Sequence, residues 1–309
     1  MKCIFIYNPK SGRGKILKKL DYIVKTLYKK FDVVDVYESQ SANDVMAKVK
    51  ESCLIYDAII FSGGDGTFNN ITCGISSESV RPVLGYIPSG TANDIARNLS
   101  IPRNIKGALK CIVNGGVFYH DVGKINDSYF TYVATIGACT GTSYKTKHEA
   151  KKILGRLAYI KDGVDEFFNT PVSKVKYISD TKKIEMTSPL LLVMNSKSVG
   201  GISFNKYGHL NDGLFDIILV KDDKSKGRFN IIKTFVHGLL GGRWRKSAIL
   251  LRESKFKIEV SDDITWCIDG EKGPSGSVEI ENLKGHLQIY VPLKKLKKKL
   301  KKEKKNNVW

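Results

Sequence analysis

A glycine-rich turn at residues 63–67 combines the residue types that bind phosphate and a cation. The backbone of Gly63-Gly64-Asp65-Gly66-Thr67 can approach a ligand closely, because its glycines carry no Cβ. The turn follows a short apolar run and precedes a helical segment, so amide N–H groups and a positive helix end converge on one spot. Asp65 would repel phosphate unless a cation stood between them. The segment therefore predicts phosphate together with Mg²⁺.

A second turn of this kind occupies residues 88–97, which read Pro-Ser-Gly-Thr-Ala-Asn-Asp-Ile-Ala-Arg. Ser89, Thr91 and Asn93 have side chains that cap helices or contact phosphate and ribose, and Asp94 could hold a metal through water. Taken alone, the turn is better explained as a capped helix with Asp94 in its first turn, which the helix dipole favours. Its pairing with residues 63–67 at the end of a nearby strand favours a phosphate site instead.

A third segment, residues 7–15, joins the first predicted strand to the first helix. It resembles a P-loop but is not one, because Pro9 and Ile16 stand where that motif requires Gly and Ser or Thr. Its small residues and its cations Lys10, Arg13 and Lys15 favour phosphate binding and an ordinary solvated loop equally.

Alternating strand and helix signals must position these turns. Apolar runs predict strands at residues 3–7, 33–37, 58–61 and 83–87, and helical periodicity predicts helices at 16–28, 43–53, 68–75 and 105–113. This order implies a parallel sheet with helices on both faces. In such sheets, ligand-binding loops lie at the carboxyl ends of the strands.

Strand signals dominate from about residue 117. They fall at residues 117–125, 129–136, 175–178, 190–194, 215–220, 256–260, 265–268, 277–280 and 286–291, with helical stretches at 153–168 and 229–240. We therefore expect an α/β nucleotide-binding domain over residues 1–120, a mainly antiparallel β domain over residues 121–292, and a cleft between them. A Lys-rich tail covers residues 293–309.

The charge balance favours anionic partners. The chain has 51 Lys and Arg against 31 Asp and Glu, a net charge of +20, and residues 294–305 contribute nine Lys and one Glu, or +8. The Lys run lacks the interleaved aromatic residues that stack on bases, so we expect no nucleic-acid partner. The tail is either a disordered, solubilising segment or a docking segment for anionic lipid.

The cysteine content and hydropathy predict a cytoplasmic location. The six cysteines are scattered without a CxxC pair, which indicates buried free thiols in a reducing compartment. No apolar stretch reaches 18 residues, so no membrane span is predicted. We expect a cytoplasmic protein that associates peripherally with a membrane.

The three turns together resemble the diacylglycerol-kinase catalytic family. GGDGT at residues 63–67, PSGTANDIAR at 88–97 and NPKSG at 8–12 most resemble bacterial soluble lipid kinases of the diacylglycerol kinase B type. GGDGT alone also occurs in NAD kinases, whereas SGTxND is much more specific to lipid kinases. The resemblance covers residues 2–292. It implies transfer of the γ-phosphate of ATP to a lipid hydroxyl, that of diacylglycerol or a related glycerolipid.

The resemblance also implies nucleotide-binding residues. ATP would be bound by Asn8, Pro9, Lys10, Ser11, Gly12, Ser39, Gly63, Gly64, Asp65, Gly66, Thr67, Phe68, Asn69, Thr91, Asn93 and Asp94. Mg²⁺ would bridge the phosphates near Asp65 and Asp94. Asp65 is thus also a candidate catalytic residue, which fits the holding of Mg²⁺ and water over the γ-phosphate better than the acceptance of the substrate proton.

Two segments of the second half match further family motifs. The stretch 210–216 implies a structural Mg²⁺ held by Asp212 with the backbone carbonyls of His209 and Leu214; from the residues alone, 211–213 predicts a turn that is compatible with this metal. Asp269-Gly270-Glu271 implies a carboxylate that activates the acceptor, either Glu271 or Asp269. From the residues alone it predicts a hairpin turn, which Lys272-Gly273-Pro274 would continue.

Two other functions stay open on the sequence. The chain could phosphorylate a soluble acceptor, as NAD kinases do, or it could be a non-catalytic nucleotide-binding regulator at a membrane. Diacylglycerol, phosphatidylglycerol, undecaprenol and sphingoid bases all offer a hydroxyl, and no short motif distinguishes them. The expected partners are ATP, a lipid substrate and an anionic membrane surface, and the sequence permits a homodimer.

Overall fold

The computed structural model describes residues 1–9, 14–137, 172–199, 202–203, 205, 208–222 and 247–305. The helices predicted at 153–168 and 229–240 lie outside these ranges, as do Lys10, Ser11 and Gly12 of the first turn. Among the described helices, none combines the length and the apolar character that crossing a membrane requires.

Strands and helices alternate over the first 114 residues. The strands are β1 (Lys2–Tyr7), β2 (Val33–Glu38), β3 (Ala58–Gly63) and β4 (Val83–Pro88), and the helices are α1 (Leu20–Leu27), α2 (Ala42–Ser52), α3 (Asp65–Ser76), α4 (Asp94–Asn98) and α5 (Ile105–Asn114). The strands run parallel in the order β2-β1-β3-β4. β3 is buried along its whole length, which explains its unbroken apolar sequence.

Small residues let the helices pack closely on this sheet and on each other. A Cβ on Gly85 of β4 would lie 3.1 Å from Ile112 of α5, and one on Gly74 of α3 would lie 3.1 Å from Val49 of α2. α1 packs beside α5. α3 begins at Asp65, inside the turn, and so earlier than the sequence predicted; a carboxylate in the first helical turn is favoured by the helix dipole.

The second half is antiparallel β structure, as predicted. Its strands are β5 (Gly116–Ile125), β6 (Ser128–Phe130), β7 (Val133–Gly137), β8 (Ser173–Ile178), β9 (Lys183–Ser188), β10 (Leu190–Met194), β11 (Ser198–Val199), β12 (Ile202–Ser203), β13 (Phe215–Val220), β14 (Ala248–Glu253), β15 (Lys255–Glu259), β16 (Thr265–Ile268), β17 (Glu271–Ser275) and β18 (Val278–Val291). One sheet has the order β14-β13-β10-β7-β16-β17, and a core of Phe130, Phe215, Phe256 and Trp266 separates it from β8, β15 and β18. The predicted fold class is confirmed.

β18 joins the two halves of the molecule. The sequence predicted two strands here, but a single strand of 14 residues changes register between Leu283 and Leu287. Gly285, with φ of +60°, lies in this irregularity, and a glycine bulge interrupts the alternation that would mark a continuous strand. β18 pairs parallel with β4 and antiparallel with β5 and β15. The boundary predicted at residue 120 falls within β5 and stays a prediction.

The Lys-rich tail is a helix over most of its length. Residues Leu293–Lys305 form α6, whose Leu296 is fully buried. Leu293 and Leu300 pack against the same core, because spacings of three and four residues bring all three leucines to one helix face. The disordered alternative therefore does not hold for residues 293–305.

A buried histidine makes stability depend on pH. His120 of β5 is fully buried and burial lowers its pKa to about 4, so the folded protein keeps it neutral. In the unfolded chain the pKa of His120 is near its ordinary value. The contribution of His120 to the free energy of unfolding is therefore complete above about pH 6.5 and is lost as the pH falls toward 4.

We expect wild type to lose roughly 3 kcal/mol of unfolding free energy relative to His120→Gln between pH 6.5 and 4. Urea unfolding of both proteins across this range measures the difference, which isolates His120 from other titrating groups. If the difference in unfolding free energy between the two proteins stayed constant with pH, folding would not lower the pKa of His120.

Candidate functional site

The two glycine-rich turns meet at the carboxyl ends of β3 and β4. The Ser89 N–H donates to the Gly63 carbonyl at 2.8 Å. A Cβ on Gly90 would lie only 2.5 Å from the Gly64 Cα, and one on Gly64 would lie 3.2 Å from the Gly90 Cα. The backbones of the two turns therefore touch at a point where side chains do not fit.

Gly90→Ala should separate the two turns. The added methyl would overlap backbone at Gly64, and overpacking of this kind costs about 1–3 kcal/mol. We expect a lower melting temperature and at least a tenfold loss of kcat/KM for ATP, because catalysis depends on close positioning. Gly64→Ala is the comparison variant. Its added Cβ would lie farther from the opposite backbone, so the loss of kcat/KM should be smaller. Equal turnover by wild type and Gly90→Ala would contradict the close fit.

Asn93 holds the second turn in place. Its backbone is left-handed, with φ of +51°, and its side chain is buried. The side-chain Oδ1 accepts from the Gly90 N–H at 3.0 Å and from the Tyr86 hydroxyl at 3.1 Å, while Nδ2 donates to the Gly90 carbonyl at 2.7 Å. These bonds fix the turn from within. The predicted contact of Asn93 with nucleotide stays a prediction.

Asp65 lies against the start of α4. Its Oδ1 accepts from the Ile95 N–H at 3.2 Å. Burial raises the pKa of Asp65 and so does the charge of Asp94, whereas the backbone N–H groups of residues 93–95 lower it. Asp94 is buried and faces Arg97 at 4.0 Å. Asp94 thus lies near enough to Asp65 for its charge to raise the pKa of Asp65.

The remaining residues of the first turn mostly support it. The side chain of Phe68 is fully buried and packs edge-on against Phe61 and Tyr86, so it belongs to the core. Asn69 is also buried. A Cβ on Gly63 would collide with the side chain of Thr67, which explains glycine at that position.

Asn8 and Ser39 follow the neighbouring strands β1 and β2. The Ser39 N–H and hydroxyl both donate to the Tyr7 carbonyl, at 2.9 and 3.2 Å, and Ser39 is buried. Asn8 and Pro9 are partly exposed beside it. The structure thus brings these two strand ends together at the sheet edge that carries the two glycine-rich turns.

A cavity of about 1250 Å³ opens beside the second turn. Ser89, Gly90, Thr91 and Asn93 form one wall. Among the residues that the structure describes, four basic side chains line it: Lys15, Lys19, Arg103 and Lys106. Arg103 also donates to the Thr91 carbonyl at 3.1 Å, so it is tied to the turn. These four residues share no sequence motif, because they come from α5, its preceding loop and the segment before α1.

Asp269 and Gly270 form a tight hairpin turn between β16 and β17. Their φ values are +52° and +86°, the pattern of a type I′ turn, and Ile268 pairs with Glu271 across it. The predicted turn at Asp-Gly is present, but the continuation predicted at Lys272-Gly273-Pro274 is wrong. These three residues belong to β17, because pairing with β16 begins immediately after the turn.

The carboxylate of Asp269 is enclosed by the chain. Oδ2 accepts from the Thr131 N–H at 2.6 Å and from its hydroxyl at 2.7 Å. Oδ1 accepts from the N–H groups of Tyr132 and Val133 at 2.9 and 3.0 Å. Burial raises the pKa of Asp269 to about 6, although these donors lower it. Asp269 therefore anchors the turn to the segment before β7.

Glu271 extends from this turn over the first glycine-rich turn. A Cβ on Gly66 would lie 3.6 Å from Glu271 Oε1, so the carboxylate stands directly above the Gly66 backbone. Glu271 is exposed, in contrast to the buried Asp269. The hairpin thus presents a free carboxylate to the turn that contains Asp65.

The segment around Asp212 is a turn with several charged neighbours. Asp212 Oδ1 accepts from the Leu214 N–H at 3.1 Å, and Oδ2 pairs with Arg252. Arg252 also pairs with Asp216 at 3.1 Å, so two carboxylates share one guanidinium. His209 is partly buried, which lowers its pKa. Among the described residues, no three His, Cys, Asp or Glu side chains group as metal ligands.

Buried hydrogen bonds connect the Asp212 turn to the Asp269 turn. Asp121 accepts from the N–H groups of Gly213 and Gly285, each at 2.7 Å. Asn195 Nδ2 donates to the Asp121 carbonyl at 2.8 Å and to the Thr131 carbonyl at 3.2 Å. Since Thr131 also binds Asp269, the two turns are held in one frame. These connecting residues carry no sequence motif, so only their spatial proximity identifies them.

Three comparisons with known proteins agree. Residues 2–125 match the model of the diacylglycerol kinase catalytic domain. The chain is 32% identical over 296 residues to a Bacillus subtilis diacylglycerol kinase, covering 94% of this chain and 96% of that protein. A Staphylococcus aureus diacylglycerol kinase is 30% identical over 293 residues, covering 93% and 91%. A crystal structure of a diacylglycerol kinase from Bacillus anthracis superposes with a TM-score of 0.80 at 30% identity, covering 94% and 96%.

Proposed function

Since this chain belongs to the diacylglycerol kinase family and is an ATP-dependent lipid kinase, we propose that it transfers the γ-phosphate of ATP to the free hydroxyl of diacylglycerol or a closely related glycerolipid. The observation that carries the proposal is the approach of Glu271 to the Gly66 backbone, above the turn that holds Asp65. A carboxylate from the second half of the chain thus faces a phosphate-binding turn of the first half.

Glu271 is the proton acceptor in this proposal. Its carboxylate is exposed, whereas both oxygens of Asp269 already accept hydrogen bonds from residues 131–133. A lipid hydroxyl that attacks the γ-phosphorus must lose its proton, and a free carboxylate within reach accepts it. Asp269 acts through the turn that it anchors and is therefore a positioning residue.

Asp65 and Asp94 fit a cation that neutralises the phosphates. The charge of Asp94 raises the pKa of Asp65 although Asp94 also pairs with Arg97, and a divalent cation held by these residues would offset the remaining repulsion. Mg²⁺ is typically bound by one or two carboxylates together with substrate phosphates, so a pair of aspartates is sufficient. When bound, the ion supplies charge neutralisation for phosphoryl transfer.

The basic cavity suits the phosphate chain of ATP. Lys15, Lys19, Arg103 and Lys106 face the turn that contains Thr91, and charges of this sign stabilise a polyphosphate. The proposed nucleotide contacts of Asn8, Ser39, Thr91 and the turn at residues 63–67 adjoin the same sheet edge.

A second cation is proposed at Asp212, with the carbonyls of His209 and Leu214. The donor set is hard oxygen, as Mg²⁺ prefers, and Asp212 lies beside a second carboxylate, Asp216, that shares its partner Arg252. Since Gly213, next to Asp212, is tied through Asp121 and Asn195 to Thr131, this ion would stabilise the frame that holds the Asp269 turn.

The exposed lysines of α6 suit an anionic membrane surface. Lys294, Lys295 and Lys298 are exposed on the side of the helix opposite the buried leucines. Each lysine near such a surface contributes about 1 kcal/mol of attraction. We propose that the protein works in the cytoplasm as a peripheral membrane enzyme; a homodimer stays a prediction.

The test is phosphate transfer from labelled ATP in mixed micelles that contain diacylglycerol. We expect a labelled lipid product, no labelled product with NAD⁺ as the acceptor, and dependence on added Mg²⁺. Labelling of NAD⁺ without labelling of lipid would replace the proposal with a soluble-acceptor kinase. A total lipid extract as substrate then identifies which lipid hydroxyl is preferred.

A further inference from the structure

Helix α6 contacts the end of the short helix α4. Lys299 Nζ lies 3.2 Å from the Arg97 carbonyl and 3.5 Å from the Asn98 carbonyl, which belong to the last residues of α4. Carbonyls at a helix C-terminus carry partial negative charge. The Arg97 carbonyl also accepts from the Ser100 N–H at 3.2 Å, so Lys299 adds a charged donor to it. A lysine ammonium is therefore well suited to bind them.

The other end of α4 contacts Asp65. The Ile95 N–H donates to Asp65 Oδ1, and Asp94 begins the helix. With five residues, α4 is too short to be stable by itself, so its neighbours set its position. Ile95 and Ala96 are fully buried and keep the helix packed. The contact with Lys299 therefore adjusts only the orientation of α4, and with it the N–H groups that donate to Asp65.

The base of this contact is rigid. Leu296 is fully buried, and Leu293 and Leu300 pack on the same core. A Cβ on Gly116 at the start of β5 would lie 2.7 Å from Leu293, so α6 sits closely against that strand. Lys299 therefore extends from an anchored helix and does not belong to a loose tail.

We infer that Lys299 of α6 is a positioning residue for phosphoryl transfer, because it holds α4 and thereby the Asp65 carboxylate in the orientation that turnover requires. The inference rests on the proposed role of Asp65. It gives the Lys-rich helix a task inside the enzyme, separate from any attraction of its exposed lysines to a membrane.

The test compares Lys299→Met with Lys297→Met, which removes the same charge from an exposed position of the same helix. Activity is measured in neutral detergent micelles with diacylglycerol, so surface charge plays no part. We expect kcat to fall about fivefold in Lys299→Met, with the KM for diacylglycerol and the melting temperature unchanged. Amide exchange at residues 93–98 should be about fivefold faster. Lys299→Arg should restore both, and Lys297→Met should match wild type.

Two results would overturn the inference. One is a kcat for Lys299→Met equal to that of Lys297→Met; the other is a loss of kcat without faster exchange at residues 93–98. The exchange measurement needs no catalysis, which separates this inference from the proposed function. If the wild-type protein phosphorylated no lipid but Lys299→Met still showed faster exchange than wild type, the proposed function and the positioning role of Lys299 would both be overturned, while the contact between α6 and α4 would stand.

Discussion

We expect Glu271→Gln to lower kcat about a thousandfold, within the range that general bases contribute, while the melting temperature stays that of wild type. The glutamine keeps the size of the side chain above Gly66 but does not accept a proton. Because Glu271 is exposed, its substitution should not reduce the stability of the fold. Steady-state kinetics in mixed micelles, with thermal unfolding of the same samples, measure both quantities.

Asp269→Asn is the informative companion. The asparagine amide would place an N–H₂ group against backbone N–H donors of residues 131–133, which leaves buried donors without acceptors. This variant should lose both stability and turnover, whereas Glu271→Gln loses turnover alone. Glu279→Gln, an exposed residue of β18, is the matched control and should retain full activity. If Glu271→Gln were fully active and Asp269→Asn stable but inactive, the base would be Asp269.

Local chemistry made much of the first half predictable. The glycines of residues 63–67 and 88–97 mark strand-to-helix turns because only a missing Cβ allows the contact between Gly64 and Gly90. Ser41, a residue type that caps helices, accepts from the Asp44 N–H at 3.1 Å at the start of α2. Parallel order then brings the turns to one edge, since all these strands end at the same side.

Long-range pairing accounts for what the sequence did not reveal. Lys272-Gly273-Pro274 has turn composition, but an edge strand tolerates Pro and Gly, and β17 lies at the edge of its sheet. The leucine spacing of residues 293–300 is visible in the sequence, yet the core that buries Leu296 is built from distant elements. The choice between Asp269 and Glu271 likewise depends on Thr131, which is 138 residues away from Asp269.

Substitution of Asp65 should reduce kcat as strongly as substitution of Glu271. Asp65→Ala and Asp65→Asn should each lower kcat about a thousandfold, comparable to the removal of a main electrostatic group. The fold should persist, because alanine suits the first turn of α3, but Asp65→Ala should lose some stability because the N–H groups of residues 93–95 lose their acceptor. Kinetics over a range of Mg²⁺ concentrations, with circular dichroism of each variant, measure the effect.

The pair of substitutions separates two roles of Asp65. In the wild type, the Ile95 N–H donates to Asp65 Oδ1 at 3.2 Å. Asparagine keeps an oxygen that can accept this bond, but it removes the negative charge. If the charge matters because it balances a cation beside Asp94, both variants fail equally and extra Mg²⁺ does not restore them. If Asp65 only orients α4, Asp65→Asn recovers most of the activity that Asp65→Ala loses, and the assigned role is wrong. Asp127→Asn, in an exposed turn, controls for loss of one carboxylate and should remain fully active.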